Sequence, residues 1–286
     1  VANIGIPDFS IDNWFKTTYN NNAKYNKMVK NSNNSKTRMK LQRKKFKGRF
    51  INIYETPQII MGFTEIHFSL SLLSRLFNTY KLIELKQVHS DIIRVSSQIE
   101  AGTEGDGIIL DQTDTMAVIK TADCTPLFFW YHDSTDSSIG GVVHIGWRGL
   151  LKGIEKKLLK ILAEKFTSVD IRQLNVFLGP AIEKNCYPVG PDIYDMFSTK
   201  TYRDDILSPL YTSRDKKYKY LLDVKKGIRL SLRESGIPDQ RIWESLLCTF
   251  CEKDRFPSHR RCPTPGKRIY NFLLLKSLSQ GNRVWL

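Results

Sequence analysis

The sequence predicts the α+β class, a single mixed-sheet domain with flanking helices. Three observations lead there. Short apolar or β-branched runs crowd the middle of the chain. Two helical periods fall between the later runs. No unit repeats along the 286 residues, so a solenoid or propeller is not expected.

The elements are justified in order. Residues 1–23 include "IDNWFKTTY", whose aromatics are worth burying against a body. Residues 24–49 hold eleven Lys and Arg and no acid. Low hydrophobicity and high charge there predict a mobile segment, so residues 1–50 are read as a basic, partly disordered extension and 51–286 as the folded domain. "FINIYE", "KLIELKQVH", "DIIRVSS", "DGIIL", "TMAVIK", "PLFFWYH" and "SIGGVVHI" each read as a strand. In "LLKGIEKKLLKILAEKF", apolar residues at 150, 151, 154, 158, 159, 161 and 162 make one helical face. "LNVFLGP" is a strand stopped by Gly-Pro. "LLDVKKGIRLSLRESG" is an amphipathic helix ending at Gly236, with Pro238 beyond it. "RIWES" and "IYNFLLL" read as closing strands.

The totals exclude several classes. Apolar residues make up 41% of the chain, enough for a sizeable core, and no run approaches the ~20 of a membrane span. The net charge of +15 suggests nucleic acid, but without residues 24–49 there remain 33 basic and 29 acidic residues, a net of +4. A nucleic-acid partner is therefore not expected of the domain, and only the basic arm has that character. Five cysteines, an odd count in a long chain, argue against a disulfide scaffold. No hydrophobic signal segment is read, so the expected location is cytoplasmic. An organelle is the alternative if the basic segment serves as a transit peptide.

Chemistry-capable side chains gather at three strand ends. "LKQVHS" offers Gln87 and His89, "IKTADCTP" offers Asp123 and Cys124, and "GGVVHIGWRG" offers His144 and Arg148. Strand ends of one sheet converge even when remote in sequence. Two imidazoles and one thiolate suit zinc and leave a fourth position open. The gaps of 35 and 20 residues match no local metal motif, so a buried core cysteine and hydrogen-bonded strand-end histidines remain open. So does Cys124 as a nucleophile with His144 as its base. A rival pattern lies in "CTFCEKDRFPSHRRC", where Cys248, Cys251, His259 and Cys262 offer a second, structural zinc site. Neither G-x-G-x-x-G nor a P-loop occurs, nor the H-x-E and P-C-x-x-C of the familiar nucleobase deaminases.

"QVHS", "EGDGIIL", "TADCTP", "HIGWRG" and "FLGPAIEKNCYPVG" occur in this order. Together they resemble the bacterial YfiH-type family, labelled multicopper polyphenol oxidases or laccases and also described as purine nucleoside phosphorylases. The resemblance covers about residues 60–275. It implies that His89, Cys124 and His144 hold a metal, zinc or alternatively copper, and carry catalysis. It also implies a fold related to cysteine hydrolases and zinc-dependent action on purine nucleosides. The chain departs from the family pattern in places: the usual Gly-Gly after Glu65 is lacking, and Ile145 stands for an alanine, a small change. Glu65 stands where an arginine is usual, Pro188 replaces an acid after Cys-Tyr, and His259 replaces a tyrosine.

The expected function is phosphorolysis of adenosine, inosine, guanosine or methylthioadenosine, with adenosine deamination as a further activity. Purine nucleoside and phosphate are the expected partners. Phosphorolysis needs an anion cradle, and Arg148 sits between glycines at a predicted helix start, where it is placed on the phosphate side. Arg260 and Arg261 offer further bidentate donors. Asp123 is read as orienting a ligand or carrying a proton, and Gln87 as lining the substrate site. The alternatives are a copper-dependent polyphenol oxidase, a metal-free Cys-His hydrolase or deamidase, and a non-enzymatic binding module. Five histidines are few for a multi-copper array.

Overall fold

A computed structural model describes residues 29–30, 39–132, 138–210, 220–263 and 266–276. Strands and helices are numbered along the chain. A seven-stranded sheet runs in the order β1 (Val29–Lys30), β15 (Ile242–Ser245), β11 (Asn175–Leu178), β9 (Thr125–His132), β10 (Ser138–Ile145), β7 (Gly107–Leu110), β6 (Ile93–Val95). A six-stranded sheet runs β2 (Gln42–Phe46), β3 (Arg49–Glu55), β4 (Ile59–Thr64), β16 (Ile269–Leu275), β8 (Thr115–Thr121), β5 (Lys81–Glu84). Both are mixed: β11 with β15, β6 with β7 and β5 with β8 are parallel, and the other pairs antiparallel. A small antiparallel sheet joins β12 (Pro188–Val189), β14 (Tyr220–Leu222) and β13 (Leu207–Pro209). The α+β class holds, with the expected mixed sheet present as two.

The layers follow from alternation along the central strands. In β9, Leu127, Phe129 and Tyr131 face one core, while Phe128 and Trp130 face another. The first core lies under α2 (Trp147–Lys152), α3 (Ile154–Lys165) and α6 (Val224–Glu234), where Leu150, Leu158, Leu162, Ile228 and Leu232 are buried. The second lies between the sheets, where Phe128 and Val142 meet Met61, Ile119 and Leu273. The outer face of the six-stranded sheet is covered by α1 (Leu70–Leu76), with Leu73 and Phe77 against Ile53, Val118 and Phe272. Each fully buried Leu or Phe contributes about 1.5–3 kcal/mol. Gly140 lets the sheets approach, since a Cβ there would stand 3.0 Å from Leu273. Two shorter helices, α4 (Pro191–Met196) and α5 (Arg203–Ile206), flank the small sheet.

Three readings change. The helix expected over 150–166 begins at Trp147 and divides at Gly153, whose φ of +74° is left-handed and closes the first helix. The run 81–89 is a strand only to Glu84; its remainder is the loop that carries His89. The domain begins before residue 51, because β2 and the first residues of β3 pair within the six-stranded sheet and Met39, Leu41 and Phe46 are buried. Charged β2 is an edge strand, and lysine on a sheet edge guards against further pairing while giving the composition of a linker. The rest of the expected extension, 1–28 and 31–38, including "IDNWFKTTY", lies outside the described residues. No helix among the described residues is long and apolar enough to cross a membrane.

Candidate active site

The chain crosses from the six-stranded to the seven-stranded sheet between Thr121, the end of β8, and Thr125, the start of β9. Asp123 and Cys124 sit at that crossing. In the β9–β10 ladder, Ile145 lies opposite Thr125 and His144 opposite Pro126, so the end of β10 stands beside Cys124. The loop after β5 supplies His89. The ligand atoms of His89, Cys124 and His144 all lie within 4.8 Å of one another, and the two imidazoles meet edge to face with centroids 4.8 Å apart. The three side chains therefore converge, Cys124 and His144 from strand ends and His89 from the loop after β5. His144 is buried, Cys124 half-buried and His89 exposed, a gradient from core to solvent.

Asp106, just before β7, organises the trio and was not singled out from the sequence. Its carboxylate is fully buried. Oδ1 accepts from His144 Nδ1 at 2.8 Å and from the His89 amide at 3.1 Å. Oδ2 accepts from the Ser90 amide at 2.6 Å, the Ser90 hydroxyl at 2.7 Å and the Val88 amide at 3.3 Å. One carboxylate thus sets the tautomer of one histidine and the backbone of the other, leaving Nε2 of His144 for the thiol or a metal. His89 is held at φ +55° and Asp123 at φ +94°, conformations that cost non-glycine residues about 1–3 kcal/mol each. The signal available in the sequence was an acid directly before an apolar strand.

The electrostatics follow. Burial pushes the Asp106 carboxyl up, but the His144 and Ser90 hydrogen bonds outweigh it and hold it at about 2. Burial also opposes ionisation of Cys124, yet the neighbouring imidazoles bring the thiol down to about 6. For His144, burial is outweighed by Cys124 and Asp106, and its value rises to about 9. Both shifts run toward a thiolate beside an imidazolium in the metal-free form, and a bound cation would take the place of the His144 proton. Gly146 leaves room for the sulfur, since a Cβ there would lie 2.9 Å from Cys124 Sγ. Two imidazoles, a thiolate and a carboxylate behind one imidazole fit a zinc or copper ion.

The trio opens on a cleft of about 620 Å³, lined also by Lys120, His259, Arg268 and Tyr270. This volume suits a small organic ligand, and its cationic rim suits an anion. On another side of Cys124 stands Tyr187. Burial, then the nearby thiolate, push its phenol up to about 12, against the influence of Arg260 and Arg148. Arg260 stacks on Tyr187 at 4.9 Å and donates to the Pro188 carbonyl at 2.7 Å. Arg148 is exposed and lies over the Trp147 ring at 4.3 Å. Its helix is only six residues long, so any grip on an anion rests on the guanidinium.

Other sequence candidates make scaffold contacts, Gln87 while also lining the cleft. Both ends of the Gln87 amide bond the backbone of Lys120, each at 2.8 Å, tying the His89 loop to β8. Asp123 accepts from the Thr249 hydroxyl at 2.6 Å, the Arg260 amide at 2.7 Å and the Ser258 hydroxyl at 3.0 Å. Arg261 donates to the carbonyls of Thr249, Phe250 and Phe256 at 2.5–2.9 Å. Glu65 is not a wall of the cleft. It is buried between Arg43 and Arg255, each at 2.6 Å, and joins β2 to the loop before Phe256. Pro188 pairs with Leu221 in the small sheet.

The rival cysteine pattern is regrouped. Cys248 and Cys251 stand together, but their third neighbour is Cys186, all three sulfurs lying within 4.8 Å of one another. His259 instead lines the cleft, and Cys262 is exposed outside the thiol group. Cysteine spacing within one loop could not reveal a partner 65 residues upstream of Cys251.

Residues 68–276 match the family model described as multi-copper polyphenol oxidoreductase laccase. Among curated relatives, purine nucleoside phosphorylase YlmD of Bacillus subtilis is 32% identical over 171 residues, 60% of this chain and 59% of that protein. A purine nucleoside phosphorylase of Borreliella burgdorferi is 33% identical over 182 residues, 63% of this chain and 74% of that protein. The chain thus spans about 59% of the length of the Bacillus relative it matches. The crystal structure of YlmD from Geobacillus stearothermophilus shares the fold with a TM-score of 0.65 and 24% identity, covering 79% of this chain and 96% of that one.

Proposed function

The chain belongs to the family described as multi-copper polyphenol oxidoreductase laccase, and from that premise, with its relatives named purine nucleoside phosphorylases, we propose that it is a zinc-dependent purine nucleoside phosphorylase. The observation that carries this reading is the His89–Cys124–His144 trio, backed by Asp106 and lining a cleft of about 620 Å³. Adenosine, inosine, guanosine and methylthioadenosine are its substrate class. Adenosine deamination is a second activity to assay on the same site.

His89, Cys124 and His144 would hold the zinc, which when bound would supply a Lewis acid. The protein supplies the rest. The cleft walls, with Tyr270 and His259, hold the nucleoside and exclude water. Arg148 and Arg260, both beside Tyr187, hold the phosphate dianion by charge-assisted hydrogen bonds. The raised Tyr187 phenol keeps its proton and donates. A phosphate oxygen bonds to C1′ as the C1′–N9 bond breaks, and the departing purine anion takes up the proton that hydrogen phosphate gives up, giving the sugar 1-phosphate and free base. Asp106 holds the His144 tautomer throughout.

The test is base release as a function of phosphate. Release from inosine or adenosine should rise with phosphate and yield ribose 1-phosphate. Arg148→Ala should raise the phosphate requirement and lower kcat/KM by about 10²–10³, the usual effect of losing one transition-state anion donor, while metal content stays constant. Zinc-loaded protein that binds no nucleoside and releases no base at any phosphate concentration would overturn the reading, and the binding-module alternative would then lead.

A further inference from the structure

We propose that Cys186, Cys248 and Cys251 form a second metal site, separate from the first trio, that takes one soft, thiolate-seeking ion such as zinc or cuprous copper. The argument begins with convergence. Cys186 ends the short turn Lys184–Cys186, while Cys248 and Cys251 lie on a tight turn in the loop after β15. Their sulfurs all fall within 4.8 Å of one another, and those of Cys186 and Cys251 are 3.3 Å apart. Three thiolates around one ion at ~2.3 Å stand about 3.8–4.0 Å from each other, so small side-chain rotations suffice.

The backbone around the thiols is already arranged. Cys248 makes a bridge to Ala181, and the Thr249 amide donates to the Ala181 carbonyl at 3.0 Å. The Glu252 amide donates to the Cys248 carbonyl at 3.0 Å, closing a C-x2-C turn of the kind that presents two thiols to one ion. The Glu183 amide stands 3.5 Å from Cys248 Sγ, a donor that would stabilise a thiolate there. Three sulfurs this close cannot all ionise without a cation among them. On binding, each thiol gives up its proton to solvent and no electron moves. Soft thiolate sets select zinc and cuprous ions over magnesium or calcium.

The role of such an ion would be to brace the wall of the cleft. The residue after Cys248 is Thr249, which bonds Asp123 beside Cys124, and the same loop carries His259 to the cleft and Arg260 to Tyr187. The ion would clamp that loop to the segment 181–187 at one point.

The experiment uses the full chain, reduced and then loaded with zinc or, under reductant, with cuprous ion. Metal per chain is measured by elemental analysis, and each thiol is mapped by alkylation and peptide mass spectrometry. Two ions per chain are expected, falling to one in Cys124→Ala and to one in Cys186→Ser/Cys251→Ser. Cys186, Cys248 and Cys251 should be protected by metal in both the parent and Cys124→Ala, while exposed Cys262 reacts throughout. The protection pattern in the parent stands even if the double variant misfolds, and it does not depend on nucleoside chemistry. A single ion per chain, with the three thiols alkylated as fast with metal as without it, would overturn the proposal. So would a Cys186–Cys251 disulfide that takes up no metal after reduction.

Discussion

Replacing Asp106 with asparagine removes the charge behind the metal trio and changes little else in size. The carboxylate accepts from Val88, His89, Ser90 twice and His144. An asparagine carbonyl can serve only part of that set, and its amide would face donors with donors of its own. Hydrogen bonds to a charged acceptor contribute about 1.5–3 kcal/mol each, and a buried donor left unpaired costs its desolvation. The two consequences separate. Loosening of the His89 loop lowers stability, and loss of the Nδ1–H···carboxylate bond frees the His144 ring. Outer partners of ligating histidines commonly account for 10–100-fold in metal affinity, or about 1.4–2.7 kcal/mol. Zinc affinity of Asp106→Asn should therefore fall within that range in a chelator competition titration. Circular dichroism and a thermal melt of the metal-free protein would establish that the fold persists. Unchanged zinc affinity in a folded variant would refute the claim that Asp106 positions the ligand.

Further changes test other links. Gly146→Ala places a methyl 2.9 Å from Cys124 Sγ at a backbone angle that alanine tolerates, so zinc content should fall while the circular dichroism spectrum holds. Glu65→Gln removes the anion between Arg43 and Arg255, and the loss should lie at the lower end of about 3–5 kcal/mol because both arginines are partly exposed. Burial opposes ionisation of Glu65, yet its partners hold it below the ordinary carboxylate range. The stabilisation is therefore present above that range and lost as pH falls from it through the lower folded value, so urea midpoints of parent and variant should converge in acid. Deleting residues 1–50 should destabilise the domain, since β2 and the start of β3 go with it; a deletion protein melting with the parent would show these strands to be dispensable.

Much of the fold was readable because its central strands are unusually plain. "PLFFWYH" and "SIGGVVHI" are apolar on both faces, as strands between two cores must be. The two-sheet arrangement was not readable, since alternation gives faces but not which sheet a face meets. Strand β2 was hidden by its lysines, and α1 by its shortness. In the site, the His-Cys-His trio was visible as residues flanking apolar runs, although His89 proved to lie on a loop, and the ordered motifs made it a set. Asp106 was missed because an acid before a strand resembles a turn residue. Gln87 lines the cleft, whereas Asp123 and Arg261 do not, and the polar atoms of all three make backbone and loop contacts that only the folded register supplies. Glu65 read only as a departure from the usual arginine, and Arg43, the partner that explains it, lay in a stretch read as a mobile arm.

The most direct measurement of the central claim is ribose 1-phosphate formation from inosine by zinc-loaded protein, read beside Cys124→Ala at the same phosphate concentration. The account predicts phosphate-dependent product from the parent, its loss on chelation and recovery with zinc, and no product from Cys124→Ala. Equal product from the metal-free parent or from Cys124→Ala would contradict it.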